Sequence, residues 1–159
     1  MPTKTVVPSL DEVICEADIA VPPARVFRAL TDSDELAKWF TNAECPAKYW
    51  RMDARKGGRY SYQTERSATV KVNGVDQFYC EGEITEFDPP RLLVYTWVAN
   101  WHDDKTMATT VRWELTQTNS GTHVKVTHSG LANEKVARDD YRGGWPGVMD
   151  SLKAFVEGR

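Results

Sequence analysis

Few residues in this chain are candidates for chemistry. Among its 159 residues are three histidines and three cysteines. His128 shares a strand-like alternation with Val124 and Val126, set against His123, Lys125 and Thr127. Neighbouring strand residues take opposite faces, so His128 is expected inside and His123 outside. An imidazole in an apolar interior can serve as an acid or base, because its pKa follows its surroundings. The plainer expectation is a buried histidine satisfied by one polar neighbour. His102-Asp103-Asp104 has the residue types of a metal site. Adjacent residues on one loop surround an ion poorly, so an exposed, solvated turn is expected there and no metal. Cys15, Cys45 and Cys80 are widely spaced and odd in number, which gives neither a disulfide framework nor a zinc pair. Cys80 reads as an inert buried thiol. No serine or cysteine has a recognisable base partner, and the sequence has no phosphate loop. No catalytic residue, metal or cofactor is therefore assigned. Arg55, Arg59 and Arg91 could each meet a ligand carboxylate, or form surface ion pairs of little energetic weight.

The aromatic content is the unusual feature, with six Trp and six Tyr. For a single large ring, core filling is the commoner role. Taken as a group, Trp39, Tyr60, Tyr62, Trp97, Trp113, Tyr141 and Trp145, with Met149 and His128, make an apolar ligand cavity plausible. These nine residues are the expected lining.

Those side chains need elements to hold them. Glu12 to Ala20 alternates as a strand, with Val13, Cys15, Ala17 and Ile19 on one face. Pro22 and Pro23 end it and open a short helix carrying Val26, Phe27 and Leu30. A second short helix follows, capped by Thr31 or Asp32 and burying Leu36, Trp39 and Phe40. Residues 41–58 read as a connection with one short strand near Tyr49 to Met52. Gly57 and Gly58 shape the turn into the sheet. Strand then follows strand from Arg59 to His128. Asn73-Gly74 marks a hairpin, and the next strand runs through Cys80, Gly82 and Ile84. Gly82 marks a bend or a close approach of the final helix. Leu92 to Val98 is apolar on both faces, which suggests an uncovered patch for a protein partner or a homodimer. The strand after it is expected to begin at Met107.

The last stretch, Asn133 to Glu157, organises the rest. Val136, Tyr141, Trp145, Val148, Met149, Leu152, Phe155 and Val156 fall on one helical stripe. Gly143, Gly144, Pro146 and Gly147 interrupt it. Two short helices would explain that interruption. The unbroken phase of the stripe favours one long helix with a loosened turn. The fold class is therefore α+β: a curved antiparallel sheet of about six to seven strands around a long C-terminal helix, with two short helices after the first strand. A sheet with one apolar face needs such a cover.

Composition narrows the setting. The formal net charge is -3 and the sequence pI is about 5.6, so nothing favours nucleic acid or an anionic membrane. Unpaired cysteines fit the cytoplasm. No segment has the length and apolarity of a membrane span, and Met1 to Leu10 lacks the pattern of a signal peptide. Residues 1–10 are expected to be a tail, and residues 11–159 a single domain.

Several pieces in order resemble a known family. They are Val26-Phe27-Arg28-Ala29-Leu30 with Leu36 and Trp39-Phe40, then Asp53-Ala54-Arg55-Lys56-Gly57-Gly58-Arg59-Tyr60. Gly82-Glu83-Ile84, Pro89-Pro90-Arg91-Leu92 and Tyr95-Thr96-Trp97 come next. Gly121-Thr122, Thr127-His128-Ser129-Gly130, Gly144-Trp145 and Leu152 complete the set. The chain thereby resembles bacterial proteins grouped with the C-terminal domain of the activator of heat-shock protein 90 ATPase. These lie within the START and birch-pollen-allergen (SRPBCC) superfamily. The resemblance implies the helix-grip fold and a cavity between sheet and long helix for a small hydrophobic molecule, lipid-like or polyketide-like. It also implies two alternatives: co-chaperone-like activation of a chaperone ATPase, and a cofactor-free cyclase or hydrolase. The chaperone activator carries a further N-terminal domain, for which residues 1–10 leave no room.

Overall fold

The computed structural model describes residues 4–6 and 11–158. Strand β1, Lys4–Val6, pairs with β2, Val13–Ile19. Every second side chain of β2 is buried, as its alternation requires. Helix α1, Pro23–Thr31, starts on a proline whose missing N–H costs nothing at that position. Helix α2, Ser33–Trp39, is capped by the Asp32 carboxylate, which accepts the Glu35 N–H at 3.1 Å. The buried Glu35 also binds Arg25 and Arg28, at 2.7 and 2.8 Å, and so locks α1 to α2. Six strands follow: β3 (Ala47–Met52), β4 (Arg59–Thr64), β5 (Tyr79–Asp88), β6 (Leu92–Ala99), β7 (Thr109–Thr118) and β8 (Gly121–Ser129). Helix α3, Lys135–Glu157, ends the chain. The sheet order is β1-β2-β8-β7-β6-β5-β4-β3, with every pair antiparallel.

The α+β helix-grip architecture is the one expected. Strands β2–β8 form the curved sheet, and α3 lies in its grip. The range read as a tail contributes one further edge strand, β1. Its three residues are too short to show an alternation.

Helix α3 is continuous through Pro146. Its buried residues include Tyr141, Trp145, Met149, Leu152 and Val156, at spacings of three and four. Val136 departs from the expected stripe and is 42% exposed, while Ala137 and Arg138 of the same turn are buried.

The sheet brings four further corrections. Asn73 and Gly74 do form a tight turn, with φ of 50° and 80°, but only the single bridge Val72–Val75 closes it. Residues 65–69, polar except for Ala68, give the preceding chain no apolar face to pair. Gly82 is narrow because of its neighbouring strand, not the helix. A Cβ there would lie 1.9 Å from the Thr96 carbonyl oxygen. The apolar outer face of β6 is not an open patch. Val94 sits between Glu86 and Arg112 on the flanking strands, and the Arg112 guanidinium crosses over it to Glu86 at 3.5 Å. Val94 is consequently buried, and Leu92 is buried as well. The face is therefore not the uncovered apolar patch that the sequence suggested for a protein partner or a homodimer. Strand β7 starts two residues later than expected, and Met107 is exposed.

Candidate functional site

The end of α2, the inner face of β4 and β6, the chain at residues 70–78 and the middle of α3 enclose a recess of about 290 Å³. From α2 and its exit come Trp39 and Phe40, and from the sheet Tyr62 and Trp97. Trp101 adds a further ring. Helix α3 contributes Asp140, Tyr141, Gly144, Trp145, Gly147, Val148 and Ser151. The interrupted turn of α3 is thus one wall of the recess. Phe40 sits at the focus of the rings, with centroids of Trp50, Tyr62, Trp97 and Trp145 at 4.9, 5.6, 6.4 and 6.4 Å. Such tilted and edge-on contacts are those that ring quadrupoles favour.

Of the nine residues expected to line a cavity, the structure places five at this recess: Trp39, Tyr62, Trp97, Tyr141 and Trp145. Tyr60, Trp113, His128 and Met149 do not, because each is consumed by packing beneath it. The Tyr60 hydroxyl donates to the Thr96 carbonyl at 2.6 Å, and its ring stacks on Trp50. The Trp113 indole donates to the Tyr95 hydroxyl at 3.0 Å. Met149 is fully buried.

His128 is fully buried and points inward, while His123 lies on the outer face between Glu16 and Asp18 at 2.9 and 2.8 Å. The Trp145 indole donates to His128 Nδ1 at 3.2 Å. Nδ1 is therefore an acceptor, which puts the ring proton on Nε2, facing Thr109 Oγ1 at 2.7 Å. The Thr109 hydroxyl passes its own proton to the Trp97 carbonyl at 2.7 Å. Burial, and then the proximity of the second imidazole of His102, lowers the His128 pKa to about 3. It is a neutral hub of the core with no opening to the recess.

His102 corrects the sequence reading most sharply. It is fully buried rather than solvated, with Nε2 at 2.7 Å from the Tyr141 hydroxyl. The same hydroxyl accepts the Trp97 indole at 2.9 Å. Giving its own proton to His102 Nε2 satisfies Tyr141 completely, and leaves Nδ1 of His102 buried without a partner. Burial holds His102 below its ordinary pKa and the Tyr141 phenol well above its own, so both are neutral. The turn folds inward because distant side chains satisfy its backbone. Glu134 accepts the Asp103 and Asp104 N–H groups at 2.7 and 2.9 Å. The Asn73 amide donates to the Trp101 carbonyl at 2.9 Å. Among the described residues no group of side chains could hold a metal ion.

Arg55, Arg59 and Arg91 lie outside the recess and face Asp53, Glu83 and Asp88 at the exposed surface. Sequence reasoning missed Phe40 and Trp101 as lining residues, and Asp140. Asp140 is half-buried, and no hydrogen bond or ion pair reaches its carboxylate among the described residues. Burial raises its pKa. The thiol of Cys45, which also lines the recess, is raised by burial and then by Glu44 and Asp140.

A curled antiparallel sheet closed by a long helix, with two short helices at one end, defines a helix-grip protein. The comparisons with known proteins narrow this. The profile of the family "Activator of Hsp90 ATPase homolog 1-like protein" matches residues 20–157, and the chain belongs to that family. No functionally curated protein matches the sequence. Solved structures do. A Rhodobacter sphaeroides protein is 16% identical, with a TM-score of 0.81 over 100% of both chains. A Chromobacterium violaceum protein is 24% identical, with a TM-score of 0.78 over 92% of this chain and 98% of that one. An AHSA1-like protein of Aeromonas hydrophila, solved in solution, is 24% identical, with a TM-score of 0.70 over 92% of each chain. At these identities the likeness is one of fold. No helix among the described residues is long and apolar enough to cross a membrane.

Proposed function

We propose that this chain is a START-like module that binds a small hydrophobic molecule in the recess between α2, the sheet and α3. The observation that carries this reading is the ring-walled recess of about 290 Å³ beside the glycine-rich turn of the only long helix described. Its size lies near the lower end of the roughly 300–1,000 Å³ typical of small-molecule sites, so the ligand is compact. A cofactor-free enzyme using His128 has less support, because that ring is engaged on both nitrogens inside the core. Naphthylmethanol titrated into the full chain is expected to bind and to change tryptophan emission. Trp145→Ala should weaken binding, though it also removes core packing. Gly147→Phe avoids that confusion, since a Cβ there meets no atom within 4 Å and Gly147 lines the recess. A folded Gly147→Phe protein that binds the probe as well as the parent would overturn the assignment.

A further inference from the structure

We propose that the occupant of this recess is a cation: an amine or quaternary ammonium carried on an apolar or aromatic body, with Asp140 as its counter-charge. The proposal rests on the ligand-binding reading above. It begins from an imbalance of charge. Among the described residues Asp140 is the single formally charged one lining the recess; no lysine, arginine or histidine among them joins it there. Of the two arginines on α3, Arg142 faces Asp139 at 4.0 Å and Arg138 donates to the Leu131 carbonyl at 3.4 Å. A half-buried carboxylate with no partner among the described residues is costly to keep ionised. An incoming cation removes that cost by supplying the missing partner.

The walls favour the same charge. Trp39, Phe40, Tyr62, Trp97, Trp101 and Trp145 line the space, and a cation meeting the face of any of these rings meets negative potential. Rings and carboxylate therefore act on a ligand cation together. The remaining titratable groups at the wall do not oppose it. Tyr62, Tyr141 and Cys45 are all shifted towards their neutral forms, chiefly by burial. A fatty acid or other carboxylate would enter a site of low polarity with a negative charge and no positive one. The recess thus selects against anions as well as for cations.

A matched series separates the charge term from the apolar term: naphthylmethyl-trimethylammonium, naphthylmethanol and naphthoate, each titrated into the full chain. The ammonium should bind about tenfold or more tighter than the alcohol, a difference worth about 1.4 kcal/mol, and naphthoate should bind worst. Asp140→Asn should erase most of the ammonium's advantage while leaving the alcohol's affinity in place. It should also make the empty protein more stable, because it removes an unpaired buried charge; a residue with a purely structural role would do the reverse. If the alcohol binds but the ammonium holds no advantage, or the advantage survives Asp140→Asn, the cation proposal is wrong and the binding reading stands. If none of the three binds, both are wrong.

Discussion

His128 and His123 sit on one strand five positions apart, and their environments push them in opposite directions. His128 has a pKa near 3 when folded and about 6.5 when unfolded. Between those values the unfolded chain binds the extra proton, so stability rises with pH across that window. The contribution is complete above about pH 6.5 and is lost as pH falls towards 3, a cost on the order of a few kcal/mol. His123 is raised, first by Glu16 and then by Asp18, so its smaller, solvent-screened contribution is present at low pH and fades as pH rises past its folded pKa. His128→Gln, which keeps a donor and an acceptor without titrating, should therefore flatten the loss of stability between pH 6 and 4 seen by urea unfolding. His123→Ala should leave that loss in place. An unchanged acid slope in His128→Gln would show that carboxylates alone govern it. The orientation of His128 was legible because a two-residue alternation fixes which face a strand side chain takes. That of His102 was not. Its burial depends on Glu134 and Asn73, about thirty residues away on either side, and no local pattern encodes that.

At the scale of the element, α3 shows why an apolar stripe outlasts poor helix formers. Pro146 cannot donate to the Arg142 carbonyl, and Gly143, Gly144 and Gly147 each lower helix propensity by up to about 1 kcal/mol. Burial of Tyr141, Trp145, Met149 and Leu152 holds the helix together across them, at roughly 1.5–3 kcal/mol for each large side chain. The stripe was readable for that reason. Its companion on the sheet was half readable. Leu93, Tyr95 and Trp97 take the inner face as alternation implies, whereas the cover on Val94 comes from an ion pair that reaches across β6 from Arg112 on β7 to Glu86 on β5. A methyl group at Gly144 would meet no atom within 4 Å, and Gly144 lines the recess. Gly144→Ala should stabilise the fold by about 0.5–1 kcal/mol. It should also weaken naphthylmethanol binding by taking up space. Higher stability with unchanged affinity would separate this turn from the site.

For the whole molecule, order along the chain and order across the sheet diverge at one place. From β3 to β8 each strand pairs with its neighbour in sequence, which is why that meander could be read from turns and alternation. The pairing of β2 with β8 could not, because it joins the first long strand to the last. The tie is then reinforced from α3. Lys153 donates to the Asp18 carbonyl at 2.7 Å, and Glu157 accepts the Ala20 N–H at 2.7 Å.

This closure sets a timetable for synthesis. Asp18 waits for His123, 105 positions further along the chain, which at roughly 5–20 residues per second is about 5–20 s of translation. During that interval β2 has no partner on its β8 side, and the aromatic face of the growing meander has no helix to cover it. Ribosomes stalled with the chain emerged only as far as Ser129 should therefore carry a protease-sensitive nascent domain. Those that have also released α3 should carry a resistant one. Resistance before α3 emerges would mean that the sheet closes without its helix.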